Sequence, residues 1–311
     1  MRVQCIRRFP LLLAVLPLLA TSLPLHGQQA GPETAVRPAN GKVLTLDDYP
    51  GWKRIQSAGL SPDGRWMTWA YRPNEGDDTL FIRELDGSGL HNIVRGTSPS
   101  FSGDSRWVTY TVNPPQGNGG GRGRGGGRGQ TPPGGRGQSP AASGEPRRFE
   151  LLDLRTGTTW EVSDVQSSEF SADAKFLAVR RNPADREASF EGSDLLLRDL
   201  SDGSVRNFGN VGAFAFGPAG KRLAWTVDAA DHVGNGLYLL DLARGVVTTL
   251  DSKAEEYRQL AWNEEGTALA VLRGLKPEKK EQRVNVLVVA QSVDRRPATF
   301  TYDPADDATF P

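Results

Sequence analysis

The chain has 311 residues, 37 Lys+Arg against 37 Asp+Glu, three histidines and one cysteine. That length admits one large all-β domain or two average ones. The balanced charge argues against a nucleic-acid or anionic-membrane partner. One cysteine and three histidines exclude a disulfide framework and leave no structural zinc site.

Arg2, Arg7 and Arg8 precede the apolar run Leu11–Ala20, and Leu25-His26-Gly27 ends on a small residue. This is the pattern of a signal peptide over residues 1–27, with the mature chain starting near Gln28 and exported to the periplasm or the exterior. The run is short and broken by Pro17, so no membrane span is expected after cleavage. Arg7-Arg8 also admits a twin-arginine reading, but the residues after it fit that pattern poorly and ordinary secretion is preferred. Cys5 precedes the run, the wrong place for lipidation after cleavage. Cleavage leaves 34 basic residues against 37 acidic and no cysteine. Such a domain folds on core burial and ladder hydrogen bonds alone. Residues 28–42 are polar with scattered Pro and Gly, a flexible entry. Val43–Tyr49 reads as a short strand or turn that packs on the first structural repeat.

From there one phrase returns five times. Leu60-Ser61-Pro62-Asp63-Gly64-Arg65 runs into the strand Trp66-Met67-Thr68-Trp69, and looser copies begin at Phe101, Phe170, Phe216 and Trp262, spaced 41, 69, 46 and 46 residues. A second phrase follows most anchors: Phe81–Gly87, Leu151–Gly157, Leu196–Gly203 and Tyr238–Gly245, a strand closing on Asp-Gly or Asp-Leu. The fifth copy, Val284–Val289, keeps the strand and lacks the Asp-Leu ending. Gly in such turns accepts positive φ without steric cost, so these dipeptides signal hairpins. A period of about 40–50 residues built from short strands and turns predicts an all-β β-propeller of four-stranded antiparallel blades. About five to six blades are expected over residues 43–311, part of a seven- or eight-bladed ring. The tryptophans at 66, 69, 107, 225 and 262 are read as equivalent positions in the inter-blade core. Arg295–Tyr302 opens one more strand.

The long 69-residue spacing has a visible cause. Residues 114–146 are Gly, Arg, Pro, Gln and Ser, and removing about 25 of them restores the period. That tract has too few apolar groups to offset its ordering entropy, so a disordered insertion in the second blade is expected. Its arginines resemble RNA-binding arginine-glycine segments, but export and the lack of interleaved aromatics favour a passive insertion.

Chemistry-bearing motifs are sparse. No Gly-x-Ser-x-Gly elbow is present, and the nearest approach, Gly137-Gln138-Ser139-Pro140-Ala141, lies inside the insertion. His26 leaves with the signal, while His91 and His232 read as solvated histidines beside blade turns. Gly217-Pro218-Ala219-Gly220-Lys221 lacks phosphate-loop spacing and is the fourth blade turn. No cofactor and no metal are expected. Adjacent acids on a strand point to opposite faces and in turns are usually hydrated. Of the acidic pairs, Glu255-Glu256, followed by Tyr257, is the one candidate substrate-binding site, because exopeptidases can use two carboxylates to hold a free amino terminus. The plainer reading is a charged loop between blades.

Leu60–Arg65 with its strand resembles the WD40-like repeat of TolB-type propellers. Leu44–Tyr49 with Trp52, followed by degenerate blades, is similar to the amino-terminal half of secreted prolyl oligopeptidase-type serine peptidases. The resemblance implies a noncatalytic, substrate-gating propeller with a peptide substrate or protein partner. It also implies a carboxy-terminal α/β-hydrolase domain that bears the triad and lies outside this chain. No catalytic residue is carried over, so the chain is expected to be inactive alone. The alternative is a stand-alone TolB-like periplasmic propeller that binds a protein or peptide.

Overall fold

The short alternating runs form strands because their β-branched and aromatic residues suit a pleated, half-buried surface. The computed structural model describes residues 45–74, 76–115, 146–185, 190–275 and 284–307. Blade 1 holds β1 (Lys53–Leu60), β2 (Trp66–Pro73), β3 (Thr79–Glu84) and β4 (Leu90–Val94). Blade 2 holds β5 (Gly96–Phe101), β6 (Trp107–Val112), β7 (Arg148–Asp153) and β8 (Thr159–Ser163). Blades 3 and 4 share one seven-stranded sheet of β9 (Val165–Phe170), β10 (Phe176–Arg181), β11 (Ser193–Asp199), β12 (Val205–Phe216), β13 (Arg222–Val227), β14 (Gly236–Asp241) and β15 (Val246–Ser252). Blade 5 holds β16 (Glu256–Trp262), β17 (Ala268–Leu275), β18 (Val284–Gln291) and β19 (Ala298–Tyr302). All neighbouring strands are antiparallel, and the chain is an all-β propeller.

Five repeats thus give five blades, and the strand expected after Arg295 is β19, the outer strand of blade 5. The anchors Leu60, Phe101, Phe170, Phe216 and Trp262 each end the first strand of their blade. First strands lie beside first strands, β1 beside β5 and β12 beside β16, which puts them on the inner side of the fold.

The departure from separate four-stranded sheets is β12. Its twelve residues serve blade 3 up to Val211 and blade 4 from there on, so Val211 pairs with both Ser193 and Val227. Elsewhere a single residue in left-handed conformation joins blades, Arg95 (φ 65°) between 1 and 2 and Asp164 (φ 59°) between 2 and 3. Asn210 (φ 55°) holds the same place inside β12. The carbonyls of these three accept from Asn113, Asn182 and Asp228 N–H at 3.0, 2.8 and 2.8 Å.

The repeated turn phrase has a hydrogen-bond explanation. Ser61 Oγ donates to Asp63 at 2.6 Å and accepts from Trp66 N–H at 2.9 Å, while Asp63 also accepts from Arg65 N–H at 3.0 Å. Ser102 with Asp104 and Ser171 with Asp173 repeat this closure. In blade 5 Asn263 Oδ1 accepts from Ala268 N–H at 2.8 Å instead. The fourth turn residue is left-handed in every blade: Gly64, Ser105, Ala174, Gly220 and Gly266.

Each blade has a leading face, toward the next blade, and a trailing face. Apolar clusters join consecutive blades: Trp66 and Ile82 with Tyr110 and Leu154, and Trp107 and Leu151 with Leu177 and Val179. Ala178 and Leu197 meet Leu223 and Trp225, and Leu237 and Leu239 meet Val271 and Val288. Burying one such side chain stabilises by roughly 1.5–3 kcal/mol.

Two expectations need correction. The tryptophans occupy three kinds of site rather than one. Trp66 and Trp107 start a second strand, Trp69 and Trp225 stand fourth in one, and Trp262 ends a first strand. Trp69 lies on the trailing face of blade 1, stacked on Phe81 with centroids 5.0 Å apart. His91 is not solvated but half-buried in β4, 6.2 Å from the Trp66 ring, and burial pushes its imidazole pKa down. Of the two forms expected before the first blade, strand or turn, Leu46–Gly51 takes the second, a 3₁₀ turn whose Tyr49 carbonyl accepts from Asn74 Nδ2 at 2.9 Å. The expected signal peptide, the expected flexible entry at residues 28–42, and all but the ends of the 114–146 tract lie outside the described residues. The insertion connects β6 to β7.

Candidate functional site

At the start of the inner strands of blades 4 and 5 lies a cleft of about 310 Å³. Its lining includes Glu191, Asp228, Glu256, Arg258, Gln259 and Asn285. The local sequence explains the shape. Glu191 sits in the connection between β10 and β11, and its backbone N–H donates to Asp228 Oδ2 at 2.7 Å. The next residue must be glycine, since a Cβ at Gly192 would stand 2.0 Å from the Asp228 carbonyl oxygen. Arg180, buried at the end of β10, donates to Ser193 Oγ at 3.1 Å and to the Glu191 carbonyl. Burial lowers the Arg180 pKa, opposed by Glu191 and Asp228.

Arg258 crosses the mouth. Its guanidinium lies 2.9 Å from Glu256 and 3.6 Å from Glu191, tying blade 5 to the loop of blade 3 over the inner strand of blade 4. Residues two apart on a strand share a face, so Glu256-x-Arg258 was a pairing signal in the sequence. Glu191 and Asp228 had none, because they meet only through folding of distant connections.

The structure separates Glu255 from Glu256. Glu255 turns toward Arg273, 3.1 Å from its Nε, and Arg273 also reaches Asp251 at 2.7 Å. Glu256 faces the cleft and Arg258. The backbone of Glu255 is fixed by Asn235, a fully buried side chain that donates to the Glu255 carbonyl at 2.9 Å and accepts from Ala229 N–H at 2.8 Å. Each carboxylate therefore has its own guanidinium, Arg273 for Glu255 just before β16 and Arg258 for Glu256 at its first residue. An incoming cation at Glu256 competes with Arg258.

The lining holds no serine, cysteine or histidine, and its charged groups suit binding more than bond breaking. His232 lies in the β13–β14 connection with Nδ1 3.2 Å from Asn235 Nδ2. Among the described residues, no group of three or more His, Cys, Asp or Glu is placed to hold a metal ion, and no helix is long and apolar enough to cross a membrane.

No protein-family model matches the sequence, and neither does any curated protein. Solved structures similar in fold include the β-propeller domain of the Trilobed protease from Pyrococcus furiosus, at 10% identity and TM-score 0.41, covering 81% of this chain and 72% of that one. TolB from Acinetobacter baumannii matches at 15% identity and TM-score 0.33 over 80% of this chain and 54% of that one. Acylaminoacyl peptidase from Pyrococcus horikoshii matches at 13% and 0.39 over 84% and 40%. The chain thus spans less than two thirds of the last two. Propeller domains of peptidases and TolB are what it resembles. The propeller fold itself rests on the chain's own blades.

Proposed function

We propose that this chain is the noncatalytic gating propeller of an exported prolyl oligopeptidase-like serine peptidase, whose α/β-hydrolase domain is a separate part of a longer protein. The supporting observation is the cleft beside the inner strands, with three carboxylates and Arg258 on its walls and no nucleophile. Such a mouth holds charged peptide ends through polar groups on rigid strands while a narrow channel limits size. The Glu256–Arg258 pair is the movable element: a peptide amine takes the carboxylate and a peptide carboxylate takes the guanidinium. Peptide substrates, export and a seven- or eight-bladed ring belong to this proposal.

The test is the coding sequence after the Pro311 codon. Further blades followed by Gly-x-Ser-x-Gly are expected there. An immediate in-frame stop would overturn the reading and leave a stand-alone binding propeller. The purified chain is expected to leave proline-containing peptides uncut.

A further inference from the structure

The cleft over the inner strand of blade 4 already holds a guanidinium, and it is the chain's own. Arg258 places Nε and Nη2 3.0 and 2.9 Å from one Glu256 oxygen and Nη1 3.6 Å from Glu191. All three nitrogens of one planar cation therefore face carboxylates, and the carboxylates come from blades 3 and 5. An ammonium has no such fork, being a compact point charge on a flexible stem. Exposure decides which partner yields. The Glu256 side chain is 15% exposed, Arg258 40% and Glu191 65%. Glu256 opens β16 and pairs with Gly274 of β17, which fixes its backbone. Arg258 bridges the mouth as a partly exposed ion pair. Pairs of this kind add little stability, so a second guanidinium exchanges with it readily.

The floor of the cleft gives an independent sign. Asp228 is 7% exposed and forms part of the wall. Its Oδ2 accepts from the Glu191 N–H, whereas its Oδ1 accepts no hydrogen bond among the described residues. A buried carboxylate oxygen without a donor, at the base of a cleft of about 310 Å³, is completed by a donor that enters the cleft.

We propose that the cleft is a receptor for an arginine side chain of a bound peptide. The incoming guanidinium displaces Arg258, pairs with Glu256 and Glu191, and donates to Asp228 Oδ1. Its five N–H donors in a fixed fork serve several acceptors at once, which an amine cannot do in one plane. This names the substrate class of the mouth described above and rests on that reading of it. The charged groups come from blades 3, 4 and 5, so the receptor is complete within those blades.

Ligand-observed NMR on the full 311-residue chain at low salt tests it. The probes are a tripeptide blocked at both ends with arginine between two glycines, its citrulline and lysine counterparts, and triglycine amide with a free amino end. Citrulline keeps the shape of arginine and lacks its charge. The arginine peptide is expected to bind about tenfold more tightly than the citrulline one, and more tightly than the lysine one. Arg258→Met keeps the stem and removes the competing cation, and is expected to tighten arginine binding about threefold to fivefold. Glu256→Gln is expected to weaken it about tenfold. Equal affinity for arginine and either counterpart, or an Arg258→Met chain that binds no tighter, would overturn the proposal. Binding of the free-amine peptide alone would also overturn it, while leaving the mouth as a holder of peptide ends. Four silent probes would overturn both readings of the cleft. Where a variant loses its native circular dichroism, the ranking of the four peptides on the wild type decides by itself.

Discussion

Arg273 of β17 places a guanidinium nitrogen 2.7 Å from the Asp251 carboxylate of β15, a charged bond from blade 5 to blade 4. Tyr257 donates to the same carboxylate at 2.7 Å. Asp251→Ala removes both bonds at once and leaves a largely covered Arg273 with Glu255 alone. A loss of about 2–3 kcal/mol is expected, read as a lower midpoint in urea unfolding. A change near zero would show that the blade joint is held by apolar contacts only.

Two tyrosines set the alkaline limit. Burial, and then the bond from its hydroxyl to Glu150 at 2.9 Å, raise the Tyr110 pKa well above the ordinary 10.0. Burial and Asp251 do the same for Tyr257. A pKa raised by folding gives stability that is full below the unfolded value and lost as pH climbs toward the folded one. The melting temperature is therefore expected to fall above about pH 10. The double variant Tyr110→Phe/Tyr257→Phe is expected to flatten that fall, and a decline as steep as in the wild type would refute the assignment.

On the acid side, burial alone would raise the Asp153 pKa. The bonds from Arg106 at 2.7 Å and Arg155 N–H at 2.9 Å outweigh it and hold the carboxyl below the ordinary 3.8. That stability is present above the unfolded value and drains away as pH falls through the folded one. Arg106→Gln is expected to melt lower at neutral pH, with the gap to the wild type narrowing below about pH 4. A gap that stays constant would show that the pair adds packing only.

Glycines of the repeated turn differ in what surrounds them. Gly64 (φ 72°) has nothing within 4 Å of a built Cβ, so Gly64→Ala costs only the left-handed backbone, about 1–2 kcal/mol. At Gly220 (φ 68°) the added carbon would stand 2.8 Å from the Asp173 backbone nitrogen of the preceding blade. Gly220→Ala is expected to lose a further ~1–3 kcal/mol through overpacking. Chemical denaturation of the two variants side by side reads the difference.

The blade pattern was legible because each repeat spells its own turn: a hydroxyl at Ser61, Ser102 or Ser171 and an acid two residues on close the same bonds. Where the turn uses other atoms, the pattern faded. Val293 does the work of Leu154 and Leu242 without an aspartate before it, so the end of the fifth repeat was hard to read. β12 could not be foreseen, since a strand that continues through Asn210 looks in sequence like two strands and a joint. The acids at 255 and 256 were visible, but Arg273 lies eighteen residues from its partner and reaches it only once β16 and β17 pair.

The joints between blades differ in length. Between blades 1 and 2, 2 and 3, and 3 and 4 the turn is made at one left-handed residue, whereas blades 4 and 5 are linked by the three residues Lys253–Glu255 between β15 and β16. The joint between blades 4 and 5 therefore has the most slack for any breathing that widens the centre. The longest tether is also the one that Arg273 clasps, so this arginine adds a polar catch to the apolar contacts that keep the two blades together.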